Sequence, residues 1–157
     1  MTRLLLVVAA GLSVLAGLGA ATAAADTPVA VQIRLHPMVF APVQTGTWDA
    51  SGGINDSGTY VRTDARATGS LPDCFCILEH KGVYFEEFLL TGSQGTLTLE
   101  DETLVTPMEE PSPFGIPRVV WQIGSGTGDY DGASGHGMGF FGPPLTLYLD
   151  GIVQIRD

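Results

Sequence analysis

The sequence beyond residue 26 has almost no helix signal. No window there places apolar residues at positions i, i+3, i+4 and i+7 over about eleven residues, which is the spacing of an amphipathic helix. Gly and Pro instead interrupt the chain about every 8 to 14 residues. The missing helix pattern and the regular spacing of Gly and Pro together predict an all-β fold built from short strands.

Basic residues are also scarce. The chain holds 7 Lys and Arg against 17 Asp and Glu, a formal net charge of −10. Such a surface repels phosphate backbones, which excludes nucleic acid as a partner and disfavours anionic membrane surfaces. The densest acidic groups are residues 100–102 and 109–110. We expect both groups to be solvated charge on turns and edge strands.

The only long apolar run lies at the N-terminus and has the three parts of a secretory signal peptide. Arg3 supplies the positive start, residues 4–18 form the apolar core, and residues 20–25 are almost all small. We expect cleavage near Ala25, which makes residues 1–25 the signal peptide. A membrane anchor is the alternative, but the run is barely long enough for the roughly 20 residues that span a bilayer.

Cleavage would leave residues 26–157 as one exported domain, secreted or periplasmic. Removing 25 residues from 157 leaves 132, with 6 basic and 17 acidic side chains and a net charge of −11. That length suits a single domain with one hydrophobic core. We expect no stable membrane insertion of the cleaved chain.

Cysteine is limited to Cys74 and Cys76. In an exported protein two cysteines indicate a disulfide. Residues i and i+2 of a strand lie about 6.6 Å apart, whereas bonded Cβ atoms need about 3.5 to 4.5 Å, so a Cys74–Cys76 bond requires a local turn or bulge. Buried free thiols are the main alternative. A metal site with His80 lacks a fourth ligand nearby, so we predict neither a metal nor another cofactor.

Alternation of apolar and polar residues predicts seven or eight strands. They cover residues 29–36, 45–51, 58–67, 83–91, 96–106 and 118–124, with a last strand or strand pair over 145–156. The short connections favour a single antiparallel up-and-down β-barrel of about eight strands over a two-sheet sandwich. We expect the Gly-rich segment 124–142 to form a barrel corner, with Tyr130 plugging the barrel end.

Four phrases of the sequence support this architecture by resemblance. In order and spacing they are similar to secreted bacterial proteins of unknown function that have a small β-barrel like those of allene oxide cyclases and dirigent proteins. The phrases are GTWDASG at 46–52, DSGT at 56–59, LTGSQGT at 90–96 and GSGTGDYDGASGHG at 124–137. The resemblance implies an eight-stranded barrel with a central cavity and assigns no catalytic residue. Gly46 and Trp48 also match the Gly-x-Trp signature of lipocalins.

Few residues indicate chemistry. The spacing joins none of the three histidines to a nucleophile. Glu86 and Glu87 are the weak catalytic candidates: as strand neighbours they point to opposite faces, so one must face the barrel interior. We expect non-enzymatic binding of a small apolar ligand or a protein partner. A cyclase or isomerase using Glu86 or Glu87 is one alternative, and a structural domain with a filled core is another.

Overall fold

A computed structural model describes residues 27–40, 43–68, 82–106 and 116–156. This part of the chain contains eight strands and no helix. The predicted signal peptide and the predicted Cys74–Cys76 bond both lie outside it. The strands are β1 (Val29–Val39), β2 (Thr45–Gly52), β3 (Asp56–Ala67), β4 (Gly82–Gly92), β5 (Gly95–Thr106), β6 (Ile116–Gly128), β7 (Ser134–Gly142) and β8 (Thr146–Gln154).

The strands close into a barrel. Each pairs antiparallel with the next along the chain, and β8 returns to pair with β1. The predicted all-β, up-and-down barrel of eight strands is therefore confirmed. Closure pairs every strand on both sides, so none of the eight strands presents an unpaired edge of the kind that promotes aggregation.

The two ends of the barrel differ in their connections. At one end, which we call the short-turn end, residues 53–55, 93–94 and 129–133 link consecutive strands. At the other, which we call the loop end, residues 40–44, 68–81, 107–115 and 143–145 connect the strands. Longer connections at one end of a rigid barrel are the usual place for a binding site.

The barrel interior is a core of large apolar side chains. Alternate residues of each strand face inward, as the period of two predicts. Aromatic and aliphatic side chains fill the space. The largest of these buried side chains include Trp48, Trp121, Tyr130, Phe88, Ile33, Leu35, Ile54, Leu90, Leu97, Leu99 and Leu149.

Most of the Gly-rich segment is strand, which the sequence patterns did not predict. Residues 124–128 complete β6, and β7 runs through Ser134–Gly142. Glycine is needed here for space. A Cβ on Gly137 would meet the Asp150 carbonyl oxygen and lie 2.7 Å from Trp121 Nε1. The absent side chain therefore makes room for the indole, which donates a hydrogen bond to the Asp150 carbonyl at 3.3 Å.

Within the described ranges, no helix is long and apolar enough to span a bilayer.

Candidate functional site

Strand β4 places one of the two candidate glutamates inside the barrel. Glu86 alternates with the buried side chains of Tyr84 and Phe88 and is itself only 7 % exposed. Glu87 points outward, where it accepts a hydrogen bond from the Thr63 hydroxyl. The sequence predicted that the two face opposite ways, and the structure shows that Glu86 is the inner one.

The partner of Glu86 inside the barrel is Arg62. In the regular part of the β3–β4 register, Arg62 lies opposite Phe88 and two residues after the buried Tyr60. Arg62 is therefore directed inward, since alternate residues of a strand and residues paired across a ladder share a face. Its Nη1 donates a hydrogen bond of 2.7 Å to Glu86 Oε1, and this ion pair is largely shielded from solvent.

Two more polar side chains, those of Gln44 and Tyr60, adjoin this pair. Gln44 lies just before β2 and is 6 % exposed. Its Nε2 donates to the Tyr60 hydroxyl at 3.1 Å, and its Oε1 accepts a longer bond of 3.4 Å from Arg62. Hydrogen bonds therefore connect Tyr60, Gln44, Arg62 and Glu86 across the inner wall.

A second carboxylate, Asp101, lies beside Glu86 in the β4–β5 register. It is 5 % exposed, and within the described part of the chain neither of its oxygens has a hydrogen-bond partner. The expectation that residues 100–102 are all solvated was therefore wrong for this residue. Asp101 continues the inward face that begins with Leu97 and Leu99, and this alternation is the sequence signal that could have found it.

The two buried carboxylates resist ionisation. Burial raises the pKa of Asp101 well above its ordinary value, and the charge of Glu86 raises it further. The nearby Glu86 backbone N–H and the positive charge of Arg62 both lower the pKa of Asp101. Neither group forms a hydrogen bond of normal geometry to its carboxyl oxygens. Burial also raises the pKa of Glu86, although the hydrogen bond and charge of Arg62 lower it.

Thr103 completes what we call the inner polar cluster: Gln44, Tyr60, Arg62, Glu86, Asp101 and Thr103. Its side chain is fully buried, and its hydroxyl oxygen is also without a partner among the described residues. Asp101 and Thr103 are two residues apart on β5, so both point inward. Three buried oxygen atoms thus lie on one strand with their hydrogen-bonding capacity unused, which is uncommon in folded proteins.

A small cavity adjoins the cluster at the loop end. Its volume is about 10 Å³, close to the least that holds one water molecule. Glu86, Gln44 and Tyr60 form its polar side. The remaining walls are apolar and consist of Leu35, Pro37, Phe88, Phe141, Leu145 and Leu147.

The short-turn end is closed by Tyr130, as the sequence predicted. The buried Tyr130 hydroxyl donates to Asp56 Oδ2 at 2.8 Å, and Asp56 also accepts bonds from Ser93 and from the Gln94 backbone. Burial alone would raise the pKa of Asp56, but the hydrogen bonds from Ser93, Ser57, Tyr130 and Gln94 outweigh it and hold that pKa well below its ordinary range. These hydrogen bonds link the three turns of the short-turn end to one another.

His36 stands in an array that the sequence spacing did not reveal. On the outer face its Nε2 lies 2.7 Å from Asp49 Oδ1, and its Nδ1 lies 3.2 Å from the Thr146 hydroxyl. The order Thr146, His36 and Asp49 resembles the nucleophile, base and acid of a catalytic triad. Thr146 is only 3 % exposed, however, so a substrate could not reach its oxygen. These contacts therefore have a structural role, in which they link β1, β2 and β8 on the outer face of the barrel.

The other histidines add no site. His136 is exposed on β7, and His80 lies outside the described residues. In the described ranges, no group of three or more His, Cys, Asp and Glu side chains could hold a metal ion.

Comparison with known proteins yields no relative. No family model matches the chain, and no match was found among curated proteins or solved structures. The similarity to allene oxide cyclase and dirigent barrels stays a prediction, and the inner polar cluster must be interpreted from its own geometry.

Proposed function

We propose that this chain is an exported, non-enzymatic barrel protein that binds a small, largely apolar ligand at the loop end. The observation that carries the proposal is Asp101, a carboxylate that faces the barrel interior with neither oxygen hydrogen-bonded within the described residues. A buried acid in a perturbed environment is a mark of functional sites.

The inner polar cluster is hard to explain by stability alone. Removing a carboxylate from water costs several kcal/mol, and well-packed apolar residues in place of a buried ion pair are often neutral or stabilising. The other buried side chains of the described residues are almost all apolar. The concentration of Arg62, Glu86 and Asp101 at one end therefore favours a role in recognition over a role in folding.

The shape of the site limits how a ligand can enter. Aromatic and aliphatic side chains fill the short-turn half, and the cavity at the loop end measures about 10 Å³. A ligand would therefore insert one small polar end toward the cluster. Its apolar body would lie at the mouth against Pro37, Phe141 and Leu145, which line the same cavity.

Native mass spectrometry of the protein purified from the cells that produce it tests this proposal. We expect one small molecule per chain, released by collisional activation. The adduct should be lost in Glu86→Gln and kept in Glu87→Gln, because these neighbouring substitutions alter the inner and the outer face respectively. A wild-type protein that carries no adduct would refute the proposal and favour a structural domain with a filled core.

An isomerase or cyclase is the second candidate, and the raised pKa values of Glu86 and Asp101 favour it. A carboxyl group whose pKa is raised keeps its proton to a higher pH than usual, and in its protonated form it can act as a general acid. Incubating the recovered molecule with fresh protein separates the two functions. Chromatography that returns it unchanged supports binding, whereas conversion by the wild type and not by Asp101→Asn supports an enzyme.

A further inference from the structure

We infer that the inserted end of the ligand is a primary ammonium group, held by Asp101 and Thr103. The inference rests on the proposed function and specifies its ligand. It starts from the three acceptor atoms that the described residues leave unpaired in the interior of β5: Asp101 Oδ1, Asp101 Oδ2 and Thr103 Oγ1.

The number and placement of these atoms match an ammonium. A primary ammonium has three N–H donors, whereas an alcohol has one. Asp101 and Thr103 share the inward face of β5 and are two residues apart, so their Cα atoms are separated by about 6.8 Å. This spacing puts one nitrogen placed between the two side chains within reach of both, although neither side chain itself lines the loop-end cavity.

The charge of the cluster also selects a cation. Arg62 pairs with Glu86 at 2.7 Å, so the charges of these two groups compensate each other. Asp101 is the remaining acid, and no described cation bonds to it. A ligand carboxylate would find no unpaired cation there among the described residues, while an ammonium would stabilise the ionised form of Asp101 and satisfy the unpaired oxygens.

Three probes of equal chain length test the inference: hexylammonium, hexan-1-ol and hexanoate. Each is titrated into the wild-type protein by calorimetry, and the indole N–H signal of Trp121 is followed by NMR, because Trp121 is paired with Asp101 in the β5–β6 register. We expect hexylammonium to bind at least tenfold more tightly than hexan-1-ol, since a hydrogen bond to a charged group is stronger than a neutral one. Hexanoate should bind most weakly.

Substitutions identify the group responsible. Asp101→Asn keeps the shape and removes the charge, so the ratio of amine to alcohol affinity should fall to near one. Thr103→Val removes one acceptor and should lower the ratio less, while Glu87→Gln should leave it unchanged. Amide spectra establish that each variant is folded, and Thr103→Val carries the test should Asp101→Asn not fold.

The results distinguish a failure of the ammonium assignment from a failure of the proposed binding function. Equal wild-type affinity for amine and alcohol, or a preference that survives in folded Asp101→Asn, overturns the ammonium assignment and leaves the proposed function standing. A wild-type protein that binds none of the three probes overturns the ammonium assignment. If it also carries no adduct in native mass spectrometry, the proposed function fails with it.

Discussion

The buried carboxyl group of Asp101 should give the free energy of unfolding a characteristic dependence on pH. Its pKa is raised above the ordinary value of 3.8 by burial first and by the charge of Glu86 second. Between 3.8 and the raised value, the folded protein binds a proton that the unfolded chain has released. The contribution of Asp101 to stability must therefore fall as pH rises through this window.

The size of the effect follows from the linkage. One proton bound only by the folded state gives a slope of at most about 1.4 kcal/mol per pH unit. Glu86 contributes in the same direction, because its pKa is also raised by burial despite the opposing hydrogen bond and charge of Arg62. Asp101→Asn cannot ionise, so it should lose the Asp101 part of the slope and gain stability relative to wild type as pH increases.

Urea unfolding of the ligand-free proteins at pH values from about 4 to 8 measures this difference, provided that the dependence on urea concentration is the same for both. The outer-face variant Glu87→Gln serves as the control and should follow the wild type. Parallel pH profiles for wild type and Asp101→Asn would refute the conclusion that Asp101 is a buried acid with a raised pKa.

Two further substitutions test the packing of the barrel. Gly137→Ala places a methyl group against the backbone and 2.7 Å from Trp121 Nε1, so we expect a loss of at least about 1 to 3 kcal/mol in thermal unfolding. Gly82→Ala is the matched control, since its nearest neighbour would lie at 3.6 Å, and a similar loss there would contradict the argument. Tyr130→Phe removes the 2.8 Å bond to Asp56 and should cost about 1.5 to 3 kcal/mol. An unchanged melting temperature would show that this bond does not fasten the short-turn end.

The sequence predicts the barrel well because alternation is a local signal. The inward set Val31, Ile33 and Leu35 on β1 alternates with polar residues, and turn residues separate the strands. The Gly-rich strand β7 was missed because glycine, which alternates there with His136, Met138 and Phe140, carries no apolar signal of its own. Its strand character depends on pairing with β6 and β8.

The site was only partly predictable. Glu86 and Glu87 each have apolar neighbours on their own face, so the pattern could not decide which one lies inside. Asp101 lies between two exposed glutamates, and three acidic residues in a row led us to predict that all three are solvated. Arg62 reaches the interior by regular alternation with Tyr60, but its charge gave no reason to place it there, and nothing local in the sequence specifies the register irregularity that follows at Thr63.

Carbon-detected NMR of the Asp101 side-chain carboxyl, recorded with and without hexylammonium, tests most directly whether this buried acid forms a ligand site. In the free protein we expect the Asp101 carboxyl to titrate well above 3.8. On adding hexylammonium at a pH below that midpoint, its signal should move to the position of an ionised carboxylate. A carboxyl that titrates at or below 3.8, or that does not respond to hexylammonium, would contradict the assignment of Asp101 as the unpartnered acid of a binding site.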